Sequence, residues 1–332
     1  MIQLETFTSP MGPLIARYLA LKRALGRRAV DTAYIFRYLD RFLISCHATD
    51  LSREAFTAWA ESMACLQAST RRARLRAVYH FCLFRRREDP HSFVPDPTQF
   101  PPPGPRPLPH IFSEAEIVRL LTAAEGLAPH KGSPLLRNVA RLGIVLLYTT
   151  GLRRGELVRL TLNDYDASAR VLHVRRTKFD KSRLVPLSAD GARELDRYLT
   201  ARCQLSAPCG GDAALLVHNH GARFRGYTGM GFGNLLRKVI RATGIRTARG
   251  RPPRIHDLRF TFAAHALLRW YQAGVNVQAR LPALAVYLGH ASVVSTQYYL
   301  TFLTATAEAA SERFHAHAAA WLPPSLREGG QP

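Results

Sequence analysis

A proline-rich segment about one third of the way along the chain constrains the fold most strongly. Within residues 95–109, eight of fifteen residues are proline, a composition that excludes regular helix and keeps the chain extended. Ser113 and Glu116 follow with the spacing of a helix capping box, ahead of an apolar run. The 332-residue chain is therefore predicted to comprise a first domain, a linker and a second domain, at 1–94, 95–112 and 113–332.

The first domain shows helical periodicity. Leu14, Tyr18 and Leu21 recur at intervals of three or four residues, and Tyr34 and Tyr38 repeat that spacing further along. These intervals predict a small helical bundle.

The second domain has a mixed pattern. Residues 139–148 are nearly all apolar, which is typical of a buried helix. Residues 171–175 and 183–187 alternate like two strands joined by a polar turn, and the pattern is helical from residue 231 to a last helix at 308–322. The predicted fold class is mainly α with a small antiparallel β-sheet, an α+β arrangement.

A large excess of basic residues constrains the partner. There are 46 lysines and arginines against 24 acidic residues, a net charge of +22, divided as +7 over residues 1–109 and +15 over residues 110–332. With 47% hydrophobic residues the chain can build cores, so the charge does not mark a disordered tail. Charge on this scale favours a nucleic acid partner over charge that merely keeps a protein in solution.

Several classes of protein find no support in the sequence. The chain does not begin with a basic segment followed by an apolar run, so no secretory signal is indicated, and residues 281–307 are too polar to span a membrane. Five cysteines without a Cys-x-x-Cys pair indicate neither a disulfide framework nor a zinc site. No Gly-rich loop ends in Gly-Lys-Ser/Thr, so nucleotide hydrolysis has no support in the sequence. A soluble cytoplasmic protein is expected.

Two segments of the second domain present cations suited to phosphate. Residues 149–157, Thr-Thr-Gly-Leu-Arg-Arg-Gly-Glu-Leu, place Arg153 where one helix ends and another begins, and a planar guanidinium suits two phosphate oxygens. Lys178 lies in the predicted hairpin turn, from which it can reach into a groove. Taken alone, each also fits an ordinary surface residue.

Two later segments add groups that can move a proton or attack phosphorus. His256 and Arg259 stand three residues apart, on one face of a predicted helix. Leu288-Gly289-His290 predicts a helix end, and Tyr299 follows His290 by nine residues. Taken alone, these fit a helix-start histidine with a surface arginine, and a core tyrosine.

In this order the four segments resemble the tyrosine recombinase, or phage integrase, family. Thr150-Gly151-Leu152-Arg153-x-x-Glu156 is similar to the family's first box. His256-x-Leu258-Arg259, Leu288-Gly289-His290 and Tyr299 are similar to its second, and the resemblance covers about residues 113–315. Residues 267–284 look like the recombinases carried by certain bacterial transposon-like elements.

The resemblance implies a covalent mechanism. Tyr299 would attack the scissile phosphate, form a 3′-phosphotyrosyl bond and free a 5′-hydroxyl. The implied roles of the other side chains are a clamp on the non-bridging oxygens (Arg153, Arg259), a general acid (Lys178), a proton acceptor (His256) and a donor to phosphate (His290). Tyr298 is the alternative nucleophile, and the nine-residue offset from His290 favours Tyr299.

The resemblance also implies the setting of the reaction. The first domain would be a DNA-binding core-binding domain, the second the catalytic domain, and double-stranded DNA the partner. A homo- or hetero-tetramer of recombinase protomers would assemble on DNA at the nucleoid, for integration, excision or transposition. Neither a cofactor nor a metal is implied.

Basic residues outside the motifs are candidates for phosphate contacts. One group is expected to follow phosphates from one face of a helix, and the other leads up to His256. They are Arg71, Arg72, Arg74 and Arg76 in the first domain, and Arg237, Lys238, Arg241, Arg251 and Arg254 in the second.

The sequence departs from the family pattern at three places. Phe260 and Thr301 stand where the family often has histidine, and the long interval from His256 to His290 indicates an insertion near residues 270–283. Two other functions stay open: a type IB topoisomerase, whose active site is similar, and a non-catalytic DNA-binding accessory subunit. The intact motif residues favour a recombinase.

Overall fold

The computed structural model of the chain describes residues 6–27, 29–104, 108–128, 133–175, 182–220 and 223–289. The chain divides into two compact units, one within residues 1–107 and one within residues 108–332. Among the described residues, no helix is long and apolar enough to cross a membrane.

The described residues of the first unit form a bundle of four helices. They are α1 (Gly12–Ala24), α2 (Val30–Ser45), α3 (Arg53–Glu61) and α4 (Ala68–Arg85), with a short 3₁₀ turn at Pro97–Gln99. Tyr18, Phe36 and Phe81 meet in its core with ring centroids 5.1–5.7 Å apart. Buried Asp40 of α2 accepts hydrogen bonds from the backbone of Thr8 and Ser9, which holds the preceding segment against the bundle.

The second unit combines helices with two small sheets. Its helices are α5 (Glu114–Glu125), α6 (Leu136–Thr150), α7 (Arg154–Val158), α8 (Ala189–Gln204), α9 (Gly229–Ala242), α10 (Asp257–Gln272) and α11 (Val277–Leu288). Its strands are β1 (Tyr165–Asp166), β2 (Val171–Val174), β3 (Arg183–Pro186), β4 (Val217–His220) and β5 (Arg223–Gly226). The predicted class, mainly α with a small antiparallel sheet, is confirmed.

Helix α6 is the centre of this unit and contacts α5, α8, α9 and α10. It corresponds to the apolar segment that predicted a buried helix. The close approach of α9 depends on Gly143, because a Cβ atom there would lie 2.6 Å from the ring of Phe232. The capping box of Ser113 and Glu116 begins α5, as predicted. A separate apolar cluster joins α10 to α11.

The predicted hairpin is present in antiparallel register. Val174 pairs with Arg183 and Leu172 with Val185, and β1 extends the sheet in the order β1-β2-β3. The second hairpin, β4 with β5, was not predicted from the sequence. The polar turn predicted at 177–182 lies outside the described residues except for Ser182, and the last helix predicted at 308–322 lies wholly outside them.

Candidate active site

The first arginine of the predicted set lies at the junction between α6 and α7. Helix α6 ends at Thr150, and Gly151 follows with a φ of 62°, in the left-handed region. A Cβ atom on Gly151 would lie 2.6 Å from Phe262 and 2.7 Å from Leu288, so both conformation and space require glycine. Arg153 then precedes α7 directly. This tight turn fixes the backbone of Arg153 between two helices.

The guanidinium of Arg153 is held from two sides while part of it stays open to solvent. Its Nη1 donates to Oε1 of Glu156 at 2.8 Å, and its Nη2 donates to the carbonyl oxygen of Gly289 at 3.1 Å. The backbone N–H of Arg153 also donates to Glu156, at 3.0 Å. Because 35% of the side chain is exposed, an anion arriving from solvent can still reach this fixed group.

Glu156 is a buried carboxylate shared between two arginines. Arg183 donates from Nη2 to Oε2 at 2.8 Å and from Nη1 to Oε1 at 3.2 Å. Burial alone would raise the pKa of Glu156, but the hydrogen bonds and charge of Arg183, followed by the hydrogen bonds of Arg153, lower that pKa to about 2. Glu156 is therefore ionised at neutral pH and orients both guanidinium groups.

Sequence reasoning missed Arg183 and treated Glu156 only as part of a motif. The sequence does contain a signal, because Arg183 has the same phase along β3 as the buried Val185. A cation in the inward phase of a strand needs a buried partner, since desolvating a lone charge is costly. Nothing in the sequence, however, identifies Glu156 as that partner.

The second predicted arginine, Arg259, is almost completely buried in the first turn of α10, at 2% exposure. Its Nη1 donates to the carbonyl oxygen of Gly151 and its Nη2 to that of Leu288, both at 2.6 Å. These carbonyls lie at the C-terminal ends of α6 and α11, so one side chain joins the ends of two helices. Since Arg153 donates to Gly289, the two arginines bind consecutive residues.

His256 lies directly before α10, with its ring edge-on to Phe260 at 5.2 Å between centroids. Desolvation of the ring, followed by the positive charge of Arg259 and then that of Arg254, lowers the pKa of His256 to about 4. Solvent reaches the residue, and the neighbouring arginines lower its pKa in the same direction as burial does. His256 is therefore neutral at neutral pH and able to accept a proton.

Three residues of the predicted set, Lys178, His290 and Tyr299, and the alternative nucleophile Tyr298 lie outside the described residues. The last described residue, Gly289, ends α11 with a φ of 68°. The helix end predicted from Leu-Gly-His is therefore confirmed, whereas the roles of these four side chains stay predictions.

A basic cavity of about 640 Å³ opens beside His256 in the second unit. Its lining combines apolar side chains with the guanidinium groups of Arg154, Arg237, Arg241, Arg251 and Arg254. Arg237, Arg241, Arg251 and Arg254 were predicted to lead up to His256, whereas Arg154 was not predicted. Lys238, which was also predicted, is exposed but does not line the cavity. Among the described residues, no group of histidine, cysteine or acidic side chains is arranged to hold a metal ion.

The four arginines predicted on α4 do not form a single face. Arg72 donates to the carbonyl oxygen of Pro101 at 2.6 Å, whereas the guanidinium of Arg74 lies 5.0 Å from the ring centroid of Tyr38 on α2. At 3.6 residues per turn, the four positions spread over about 200° of the helix. The four side chains therefore do not share one face, and their contacts with phosphate stay a prediction.

A different basic surface of the first unit lies on α2. Tyr34 and Tyr38 are 46% and 40% exposed, and their hydroxyl oxygens are 2.8 Å apart. Arg37 lies over the ring of Tyr34, and Arg41, one turn further on, is also exposed. With Arg74 over Tyr38, these residues form what we call the α2 face. Periodicity alone did not reveal it, because tyrosine spacing does not distinguish a core stripe from an exposed one.

Comparison with known sequences places these features among recombinases. The model of the phage integrase family matches residues 111–305. The integrase/recombinase y4rB of Sinorhizobium fredii is 34% identical over 292 residues, which are 86% of this chain and 91% of that protein. The tyrosine recombinase XerD of Mycobacterium tuberculosis is 36% identical over 200 residues, 60% of this chain and 58% of that protein.

Comparison with solved structures concerns the fold. The integrase of transposon Tn1549, in complex with transposon right-end DNA, superposes with a TM-score of 0.63 and 19% identity, covering 92% of this chain and 99% of that one. A lambda integrase dimer bound to a core site gives a TM-score of 0.59 and 16% identity, covering 88% and 95%. The catalytic-domain fold expected from the motifs is therefore confirmed.

Proposed function

The chain belongs to the phage integrase family and is a site-specific DNA recombinase, and from this premise we propose that Tyr299 is its nucleophile. One observation carries the proposal: Arg153 and Arg259, distant in sequence, donate to the consecutive carbonyls of Gly289 and Leu288. Both guanidinium groups thus bind the backbone directly before the segment that contains His290 and Tyr299.

The proposed step exchanges one ester for another. The phenolic oxygen of Tyr299 forms a bond to the scissile phosphorus, while the bond from phosphorus to the 5′ oxygen breaks. The bond from phosphorus to the 3′ oxygen is kept, so the product is a 3′-phosphotyrosyl ester. His256 takes the phenolic proton, and Lys178 supplies a proton to the departing 5′ oxygen. Attack by the 5′-hydroxyl of another strand reverses the same steps, so the bond energy is kept and no nucleotide is hydrolysed.

Arg153 supplies charge where the transition state needs it. Glu156 carries one negative charge and contacts two guanidinium groups, so the pocket keeps a net positive charge. That charge is fixed by hydrogen bonds before the substrate arrives, which is the arrangement that stabilises developing charge most effectively. His290 adds a further donor to phosphate in this proposal.

His256 fits the role of proton acceptor. The phenol of tyrosine, with an ordinary pKa of about 10, is a poor nucleophile at neutral pH. Because the pKa of His256 is lowered to about 4, its ring is neutral and free to take a proton at neutral pH. Bound phosphate offsets part of the arginine charge and so raises this pKa toward its ordinary value, which makes the proton transfer more favourable.

Covalent capture tests the nucleophile. The full chain is incubated with a pool of random-sequence duplexes nicked in one strand, and the DNA that stays attached in SDS is sequenced. Cleavage near a nick releases a short fragment and traps the adduct. We expect the wild type and Y298F to capture DNA with a shared sequence, and Y299F to capture none. Capture by Y299F but not by Y298F would reverse the proposal.

The same experiment separates the alternative functions. A topoisomerase would form adducts without a shared sequence and would relax any supercoiled plasmid. A non-catalytic accessory subunit would form no adduct with any duplex. The recombinases and integrases among the relatives do not favour either alternative.

We propose that both units contact duplex DNA. In the second unit the basic cavity lies beside His256 and supplies cations for phosphates that flank the scissile one. In the first unit the α2 face offers guanidinium groups and hydroxyls, both of which donate to phosphate oxygens. We propose on this basis a core-binding domain at 1–94, a linker at 95–112 and a catalytic domain at 113–332.

We further propose that four protomers assemble on two DNA duplexes at the nucleoid, in the service of a mobile element. Exchanging two pairs of strands takes four nucleophiles, and each chain supplies one. Light scattering with and without the captured duplex tests this assembly, and a mass corresponding to one protomer per duplex at every concentration would contradict it.

A further inference from the structure

Arg183 joins three separate parts of the candidate site. It is the first residue of β3, and it donates two hydrogen bonds to Glu156 of α7 and one from Nε to the carbonyl oxygen of Tyr287 at 2.8 Å. Its side chain is 8% exposed, so these bonds form away from solvent. No substrate atom is needed to hold it in place.

The chain around Gly289 is shaped to accommodate Arg183. A Cβ atom on Gly289 would lie 2.8 Å from Nη1 of Arg183, and the φ of 68° at this residue independently favours glycine. Tyr287, Gly289 and Arg183 therefore pack as one unit at the end of α11. Lysine could not replace this side chain, because a single ammonium cannot form a bidentate pair with Glu156 and reach Tyr287 in fixed directions.

Arg183 also determines the net charge of the cluster that Arg153 forms with Glu156. If Arg153 alone faced Glu156, the two would form a neutral pair, and little charge would remain for phosphate. Arg183 is the second and more buried partner of Glu156, and its positive charge offsets the negative charge of that carboxylate. Arg153 then stays oriented by Glu156 without being neutralised by it.

We propose that Arg183 is a positioning residue for strand cleavage, which offsets the charge of Glu156, keeps Arg153 aimed at the scissile phosphate and holds the end of α11 that leads to His290. The proposal rests on the function proposed above, in which Arg153 contacts that phosphate. Arg183 itself touches no reacting atom.

The test compares two substrates that differ in charge. One is the captured duplex with its natural scissile phosphodiester; the other carries a methylphosphonate there, in which a methyl group replaces one non-bridging oxygen and removes the negative charge. A residue that acts through the charge of Arg153 matters less when the substrate is neutral. We expect R183Q to slow cleavage of the phosphodiester by about 10²-fold and cleavage of the methylphosphonate by less than about 10-fold. R153Q serves as the reference variant, because it removes the charge of Arg153 directly. It is also expected to lose less rate on the methylphosphonate than on the phosphodiester.

Arg141 provides a matched control. It forms a bidentate pair with Glu194 at 2.8 and 2.7 Å, between α6 and α8, with 22% of its side chain exposed. We expect R141Q to lower the thermal stability of the full chain while leaving the ratio of the two cleavage rates as in the wild type. R183K keeps the positive charge and is expected to fall between the wild type and R183Q. If R183Q is unfolded at the assay temperature, R183K is the variant compared.

The outcomes separate the two levels of the proposal. The role of Arg183 would be refuted if R183Q lost the same factor in cleavage rate on both substrates, or lost none on either, while R153Q still lost less on the methylphosphonate than on the phosphodiester. Full activity of R153Q on the phosphodiester would instead overturn the proposed function, and the inference with it.

Discussion

Glu156 is the buried carboxylate that holds both Arg153 and Arg183, so E156Q tests the electrostatic basis of the site. The pKa of Glu156 falls from 4.5 to about 2 in the folded chain. Since a tenfold change in proton affinity corresponds to about 1.4 kcal/mol, this depression contributes about 3 kcal/mol to folding at neutral pH. The side chain is only 2% exposed, so solvent screens little of this contribution.

The sign of the pH dependence follows from the direction of the pKa change. Because the folded pKa lies below the unfolded one, the stabilisation is present above pH 4.5 and is lost as the pH falls toward 2. The linkage relation gives about 3 kcal/mol at pH 7 and about 1 kcal/mol at pH 3. The difference in free energy of unfolding between wild type and E156Q should therefore shrink by about 2 kcal/mol over that interval.

Urea unfolding of the full chain, followed by circular dichroism from pH 3 to pH 7, measures this difference. E125Q is the control, because Glu125 pairs with Arg141 at the surface with half of its side chain exposed. Removing that ion pair should change stability by less than about 0.5 kcal/mol. A gap between wild type and E156Q that stays constant from pH 3 to pH 7 would show that Glu156 is not an ionised partner of the two arginines.

The same geometry sets expectations for pH, backbone and salt. Covalent capture should fall as the pH drops through the pKa of His256 in the DNA complex, between about 4 and its ordinary 6.5, and H256Q should lack this pH dependence. Gly151→Ala should cost about 2 kcal/mol or more in thermal unfolding, through left-handed strain and contact with Phe262, whereas Gly126→Ala, at a φ of −70°, should be nearly neutral. DNA affinity should fall about 10³-fold between 50 and 200 mM salt if at least six phosphates are contacted, and a flat response would contradict the basic cavity as a phosphate site.

The local parts of the site could be predicted from sequence. Thr150-Gly151 and Leu288-Gly289 each end a helix with a left-handed glycine, as their residue types indicate. The strands predicted at 171–175 and 183–187 pair as their alternation predicts. In these cases the determinant lies within a few residues of the feature, so a short window of sequence contains enough information.

The long-range parts could not be predicted in this way. Arg183 meets Glu156 and Tyr287 only because β3, α7 and α11 converge, and no local pattern encodes that convergence. Likewise, the α4 arginines were expected on one face because they are close in sequence, but Arg74 turns toward Tyr38 instead. Partner choice across elements depends on tertiary packing, which residue spacing does not contain.

The two arginines predicted to clamp the phosphate, Arg153 and Arg259, differ in what their replacement can show. Arg259 is buried and donates to carbonyls at the C-terminal ends of α6 and α11, where the last carbonyls of a helix lack intrahelical partners and carry partial negative charge. Those helix ends stabilise its charge, and it in turn ties them together, so an Arg259 variant disturbs the fold along with the chemistry. Arg153 has 35% of its side chain exposed and depends on Glu156 for its orientation. Loss of cleavage in an Arg153 variant that keeps wild-type stability therefore reports on phosphate charge more directly than any result obtained at Arg259.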